Sequence, residues 1–480
     1  MRKRKGQVIL AFFTSTRPAL VDISMMTTLA PPEAGTTPGS LDHPREQLGR
    51  RVLRGGAVVF GAMLLQKLLG LLLLAIMARL LTPRDYGLMG MVLAVTAFLQ
   101  IFSDAGLPLA TIQKADLTHP QLSAMFWLNL GLGLLLGLGI FVLAPAVAWF
   151  FHEPQLRPVA GWLALSFPLT ALGAQHGALL QRKMAFTRLM LTEMAGLLAG
   201  GAAGLLLAWQ GYGIYALVAQ VLATAAGTTL AAWLWAGWVP GARLRGTGLR
   251  ETIRFSGYLT GYCLVNYFAR NLDKVLLGRF SAAEQVGLYN RAYSLMFLPV
   301  SLVAVPAGRI MLPALSAVQH DRPRLRRLYL RYLQVIGFVT FPLMTLLALK
   351  AGWFIRLIYG PGWEGAVPLF QILCLSGLGQ GIYSAAGYLF VAVGRTDRQF
   401  RAGLVVSLIL AGSYLAGIPW GAQGVALAYT AGFLACLPVY LYYAYATVGL
   451  PLRSALKKLI LPLFISILLA LVLLLCDLRG

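Results

Sequence analysis

Acidic residues are scarce in this 480-residue chain: Asp plus Glu number 16 against 40 Lys plus Arg. Charged residues of both signs reach only 12%, about half the share of an ordinary soluble domain. Hydrophobic residues make up 58% and the mean hydropathy is +0.73. A water-soluble fold of this length could not hide so much apolar surface, so most soluble-enzyme classes are excluded. Cysteine is rare as well. Cys263, Cys374, Cys436 and Cys476 lie far apart in apolar stretches with no CxxC pair. That excludes a disulfide framework and a zinc cluster, and leaves four small buried residues. HExxH, GxSxG and GxxxxGK[ST] are all absent. Zinc proteolysis, serine-elbow hydrolysis and P-loop ATP hydrolysis go with them. No catalytic residue, metal or cofactor is called for. GLGLLLGLG from Gly131 and AGLLAGGAAG from Ala195 follow no strand, so they are not dinucleotide loops. Their small-xxx-small spacing predicts close helix packing.

What remains is a succession of apolar segments. Thirteen are long enough to cross a hydrocarbon core of about 30 Å. They fall near 56–81, 86–103, 122–150, 158–181, 187–209, 212–238, 253–277, 285–312, 327–350, 365–393, 399–418, 421–446 and 456–476. Backbone groups in lipid must bond within their own segment, so the runs predict helices. The fold class is an all-α polytopic membrane protein with about thirteen transmembrane helices. Residues 1–50 differ: MRKRK and a short apolar run precede a Pro-, Gly- and Thr-rich stretch without periodicity. They read as a disordered cytoplasmic tail, and a start at Met25 or Met26 would remove about half of it.

The cations support this topology. With a cytoplasmic tail, the tail and the loops after even-numbered segments carry 28 Lys and Arg, and the opposite side carries 7. That is the positive-inside pattern. It accounts for the isoelectric point near 10.3 without nucleic acid. It also suits an inner face in contact with anionic membrane lipids.

The two halves resemble each other. ARLLTPRDYGLM from Ala78 matches GRFSAAEQVGLY from Gly278, so Arg79 aligns with Arg279, Gly87 with Gly287 and Leu88 with Leu288. WQGYGI from Trp209 matches WGAQGV from Trp420. The repeat predicts a six-helix lobe over 51–240 and a second over 250–447, with an additional helix at 455–480. Parallel repeats of this kind surround a central substrate cavity in transporters.

An ionisable group inside a span costs about 2.5–3.5 kcal/mol at mid-helix, so each needs a reason. Lys67 lies in the first segment, Arg270 and Lys274 in the seventh, and Arg291 opens the eighth. Together they predict a cationic cavity for an anionic ligand. The competing role for Asp273 is an internal pair with a neighbouring Arg or Lys, and for Lys274 and Arg291 a snorkel to the outer interface. His176, Glu193 and Asp273 are candidates for ion coupling, with a plain interhelical hydrogen bond as the alternative for His176 and Glu193.

Several stretches carry a family resemblance: RLLTPRDYGLMGMV, FSDAGLPLATIQ, RNLDKVLLGRF, VGLYNRAYSLMFLPV, LPALSAVQHDRPRLRRLYLRYL and YGPGWEGAVPLFQIL. They resemble the Wzx-type polysaccharide exporters, in the colanic-acid and teichuronic-acid branch of the multidrug/oligosaccharidyl-lipid/polysaccharide flippase superfamily. The resemblance covers about 50–446. It implies two six-helix lobes around a cavity in the bacterial cytoplasmic membrane, with a cytoplasmic N-terminus. It also implies alternating-access transfer of an undecaprenyl-diphosphate-linked oligosaccharide, for capsule, exopolysaccharide or O-antigen-like synthesis beside polymerase machinery. Members commonly carry a fourteenth helix and a shorter tail, and this chain departs on both counts. The alternatives within the superfamily are a peptidoglycan-precursor flippase and a cation-coupled drug exporter. A membrane-embedded polymerase or acyltransferase is a different class, and the short external loops, the longest near 351–364, argue against it.

Overall fold

The computed structural model describes residues 43–103, 108, 111–112, 118–241 and 271–477. Arg270, the tail over 1–42 and most of the seventh segment lie outside them. The described residues are helical, with no strand among them. Two compact units divide the chain, Met1–Val58 and Val59–Gly480. Of the first, the described part is the opening of α1.

The helices are α1 (His43–Leu80), α2 (Pro83–Ser103), α3 (His119–Phe151), α4 (Leu156–Leu163), α5 (Ser166–Arg182), α6 (Phe186–Trp209) and α7 (Ile214–Ala236). A helical stretch at 271–280 leads into α8 (Ala283–Ala317). Then come α9 (Arg322–Leu349), α10 (Ala351–Tyr359), α11 (Ala366–Ala392), α12 (Thr396–Gly417), α13 (Gly421–Val448) and α14 (Leu452–Asp477). Ten candidate membrane spans stand out by length and apolar composition among the described residues. One of them, Thr396–Val448, holds two of the segments read from the sequence. α2 and the seventh segment account for the rest of the difference from thirteen.

Two departures from the predicted segments have local causes. The segment at 158–181 is broken between α4 and α5, at Ala164 and Leu165. Pro168 lacks an N–H and its ring crowds the carbonyl four residues back, at Ala164. The Ser166 hydroxyl takes up the free carbonyl of Leu163 at 2.6 Å. The expected loop at 351–364 opens with α10 instead. Ala351, Ile355 and Tyr359 recur every four residues and are buried, while Trp353 and Leu357 face outward. The helix stops at Gly360, whose φ of 84° suits glycine.

Large apolar side chains cover the outside of the bundle. Leu135, Leu138 and Phe141 of α3 and Leu234 of α7 are exposed, as lipid-facing residues must be. Trp149, Trp209, Trp353 and Trp420 are also exposed, each at a helix end read as external from the charge pattern. They form an aromatic belt at one membrane interface.

The glycine runs do what their spacing predicts. Gly196, Gly200 and Gly204 line the face of α6 that meets α7. A Cβ on Gly200 would strike the Thr224 hydroxyl and lie 2.6 Å from the Gln220 carbonyl oxygen. Gly133 and Gly137 bring α3 onto α5 in the same way. Gly200→Leu is therefore expected to cost at least about 1–3 kcal/mol by overpacking. A thermal melt of detergent-solubilised protein checks this against Gly139→Leu, where a Cβ meets nothing within 4 Å. Equal melting temperatures would contradict the packing described here.

Candidate functional site

The two repeats meet where α2 crosses α8. A Cβ on Gly87 would collide with the carbonyl oxygen of Ala283, and one on Gly287 with the carbonyl oxygen of Pro83. Gly90 lies against the side-chain amide of Asn290. Each pair combines positions 200 residues apart, or their neighbours by the same offset, so the contact is reciprocal about a local two-fold axis. Only glycine lets two backbones come this close.

Further contacts lock this seam at the helix ends read as external. Trp363, delivered by the turn after α10, donates its indole N–H to the carbonyl of Ala78 at 2.9 Å. Its ring meets Tyr86 edge-on, with centroids 5.4 Å apart. Arg79 donates to the carbonyl of Leu357 at 2.8 Å. Arg279 donates to Nδ1 of His152 at 2.6 Å across the seam, and within the first repeat Arg84 pairs with Glu153, the neighbour of His152, at 3.2 Å. His152 itself ends α3 in the left-handed conformation, φ 56°. Replacing Trp363 with phenylalanine keeps a ring but strands the Ala78 carbonyl, at about 1–3 kcal/mol. The expected result is about a tenfold rise in labelling from outside of a cysteine at position 67, in a background lacking the four native cysteines. Unchanged labelling would remove Trp363 from the lock.

The described residues singled out from sequence fall in five places. Arg291 belongs to the seam. Its guanidinium lies 3.9 Å from the centroid of the Tyr86 ring, a close cation–π contact, and its carbonyl accepts from Tyr359 at 3.0 Å. Asp273 is fully buried beside α8. Among the described residues its hydrogen-bond partner is the hydroxyl of Tyr289, which donates at 2.9 Å; Arg270, one of the neighbouring cations, lies outside them. Among the described residues no ion pair reaches it, because Lys274 turns away to Asn271 at 3.0 Å and over the Tyr293 ring at 5.8 Å.

Lys67 is exposed and makes no hydrogen bond or ion pair among the described residues. On a 3.6-residue helix it lies within about 20° of Ala78, eleven positions on. Ala78 is buried and its carbonyl touches the second repeat through Trp363. Lys67 therefore shares the face of α1 on which Ala78 lies, about 16 Å along the helix from the end that carries Ala78. Its neighbour Gln66, about 100° round the helix, donates to Glu193 at 3.2 Å.

His176 and Glu193 do not share a site. His176 is sealed in an aromatic box, stacked on Trp233 at 4.3 Å and flanked by Phe126 and Trp238. Its Nε2 meets the Trp238 carbonyl at 3.2 Å. Glu193 is exposed on α6. Sequence reading missed the seam aromatics Tyr86 and Trp363, although YGPGW had been singled out as a motif. It also missed a tyrosine-lined cleft in the second repeat.

The fold and its relatives agree. Residues 76–368 match a family described as polysaccharide biosynthesis protein. The lipopolysaccharide biosynthesis protein WzxC of Escherichia coli (strain K12) is 27% identical over 407 residues, covering 83% of this chain and 82% of that protein. The teichuronic acid biosynthesis protein TuaB of Bacillus subtilis (strain 168) is 28% identical, covering 68% of each. Among solved structures, the lipid II flippase MurJ in its inward closed conformation superposes with a TM-score of 0.69 at 16% identity, over 88% of this chain and all of that one. With well over half of its length matched, this membrane-spanning chain belongs to the polysaccharide biosynthesis protein family.

Proposed function

We propose that the chain is a flippase. It carries undecaprenyl-diphosphate-linked oligosaccharide repeat units from the cytoplasmic to the outer leaflet of the bacterial cytoplasmic membrane, by alternating access between two six-helix lobes. The observation that carries this reading is the reciprocal glycine seam, with Lys67 on α1 beside it. A seam built of matching positions from the two repeats is where the lobes would part, and a cation on the adjoining helix suits a diphosphate. Lys67, Arg270 and Lys274 would meet the anionic head of the cargo, while Arg291 would exchange its stack on Tyr86 for the cargo when the seam opens. Asp273 and Glu193 are the acidic groups available for ion coupling. The N-terminus lies in the cytoplasm on the charge pattern, and Trp149, Trp209, Trp353 and Trp420 fall on the opposite side.

The reading is supported by the names of the relatives and by the flippase fold. A drug exporter for cations would want acid where Lys67 stands. Liposomes test the proposal directly. Purified full-length protein should move a fluorescent undecaprenyl-diphosphate-linked saccharide to the leaflet reached by a membrane-impermeant quencher, at least tenfold faster than empty vesicles. Movement of rhodamine 6G but not of the saccharide would favour the drug exporter.

A further inference from the structure

In the second repeat, α12 packs along α13 but touches α11 little. The gap between them is a cleft of about 370 Å³, within the roughly 300–1,000 Å³ of small-molecule sites. It runs from Gln399 to Tyr414 along α12, fifteen residues or about 22 Å. Its walls are tyrosine rings brought together from four helices: Tyr293, Tyr383, Tyr388, Tyr414, Tyr429 and Tyr440. Tyr383 and Tyr440 stack at 4.0 Å, and Tyr414 and Tyr429 lie nearly parallel at 6.0 Å. Between the rings stand uncharged polar groups. Gln380 donates to the hydroxyl of Tyr429 at 2.6 Å, and Gln399, Ser384 and Ser407 line the rest.

We propose that this cleft is a saccharide subsite, which holds sugar rings of the cargo while the diphosphate stays with the cations; it rests on the flippase reading. The chemistry selects the occupant. A pyranose has an apolar C–H face and a rim of hydroxyls. Tyrosine rings offer the matching flat apolar surface, and their hydroxyls and the two glutamines offer donors and acceptors for the rim. No Lys or Arg lines the cleft, and Lys274, which lies over the Tyr293 ring at 5.8 Å, is held by Asn271, so the lining offers sugar hydroxyls more than it offers phosphate. No Asp or Glu lines it either, so an organic cation would find aromatic faces but no counter-charge. A polyprenyl or acyl chain would strip water from hydroxyls and amides without replacing the hydrogen bonds.

The test is photo-cross-linking in cells that make the polymer. Phe400, an exposed aromatic at the cleft, is replaced as Phe400→p-benzoylphenylalanine in the full chain. The same probe goes into Lys67 for the inter-repeat space and Trp149 for the lipid face. After irradiation, mild acid cuts the sugar from the lipid diphosphate. Periodate and a biotin hydrazide then tag any vicinal diol left on the protein. The expected result is a tag at position 400 that survives acid and exceeds that at 149 at least tenfold, and that drops at least fivefold with Tyr383→Ala but not with Tyr383→Phe. A tag at 400 lost on acid treatment puts the lipid in the cleft and overturns the subsite. A tag at 67 with none at 400 overturns the subsite and leaves the flippase standing. No tag at 400 or 67, together with normal polymer in cells lacking the protein, overturns both.

Discussion

Replacing Gly87 with valine is expected to abolish polymer export while the protein stays in the membrane at its normal level. A Cβ at this position would sit inside the Ala283 carbonyl, and the neighbouring backbone at Gly287 leaves no room to yield. Overpacking costs about 1–3 kcal/mol, and more where backbone rather than a side chain must move. That cost falls on the seam-closed arrangement alone, because parted helices leave the side chain free. A ligand-free equilibrium would shift towards the open form by about a hundredfold for each 2.7 kcal/mol. The transporter would then fail to close behind its cargo. Gly287→Val should do the same through the Pro83 carbonyl, which is the mark of a two-fold contact. Gly139→Val, where a Cβ meets nothing, is the matched control. A cysteine at position 67 should be labelled from outside in the valine variants and protected in the parent. Export at the parent's level in both Gly87→Val and Gly287→Val would mean that the seam need not close.

Reversing the charge at Lys67 is the second large effect. Lys67→Glu is expected to lower export by at least tenfold, Lys67→Ala by several-fold, and Lys67→Arg by less than threefold. A unit charge 4 Å from another interacts by about 4 kcal/mol at an effective dielectric of 20. Lys67 is exposed, so solvent in the cavity removes much of this, and about 1.4 kcal/mol, or tenfold, is a fair remainder. Expression should hold, because Lys67 makes no hydrogen bond or ion pair among the described residues. Arg270→Ala should deepen the loss when combined with Lys67→Ala. Surface polymer measured by sugar analysis, at equal protein in the membrane, provides the readout. Normal polymer in both single variants and in the double variant would remove the cationic-cavity assignment.

Much of the fold was legible because it follows from one-dimensional rules. Apolar length predicts the helices, and the 200-residue offset aligns Gly87 with Gly287, the two positions that prove to meet at the seam. What stayed hidden depends on where distant turns land. Trp363 sits in a short turn and reads as one more interfacial aromatic until it meets Ala78, 285 positions away. The tyrosines of the cleft span positions 293 to 440, each unremarked on its own helix, and only packing gathers them. A shared residue type does not say where two candidates lie. His176 and Glu193 share a titratable character, yet one is boxed by tryptophans and the other bonds Gln66. The phenol of Tyr289 on Asp273 was not legible either, since sixteen positions separate the two; Lys274 follows Asp273 by a single residue and leaves the helix about 100° further round.

The central claim is translocation, and one measurement reaches it most directly. Cells lacking this protein are converted to intact spheroplasts, and their lipid-linked oligosaccharides are exposed to a membrane-impermeant glycosidase. The account predicts that complete repeat units accumulate and stay protected, and that restoring the parent protein makes them accessible. Accumulated units open to the enzyme without the protein would place the defect after transfer, in polymerisation or ligation, and would contradict a flippase.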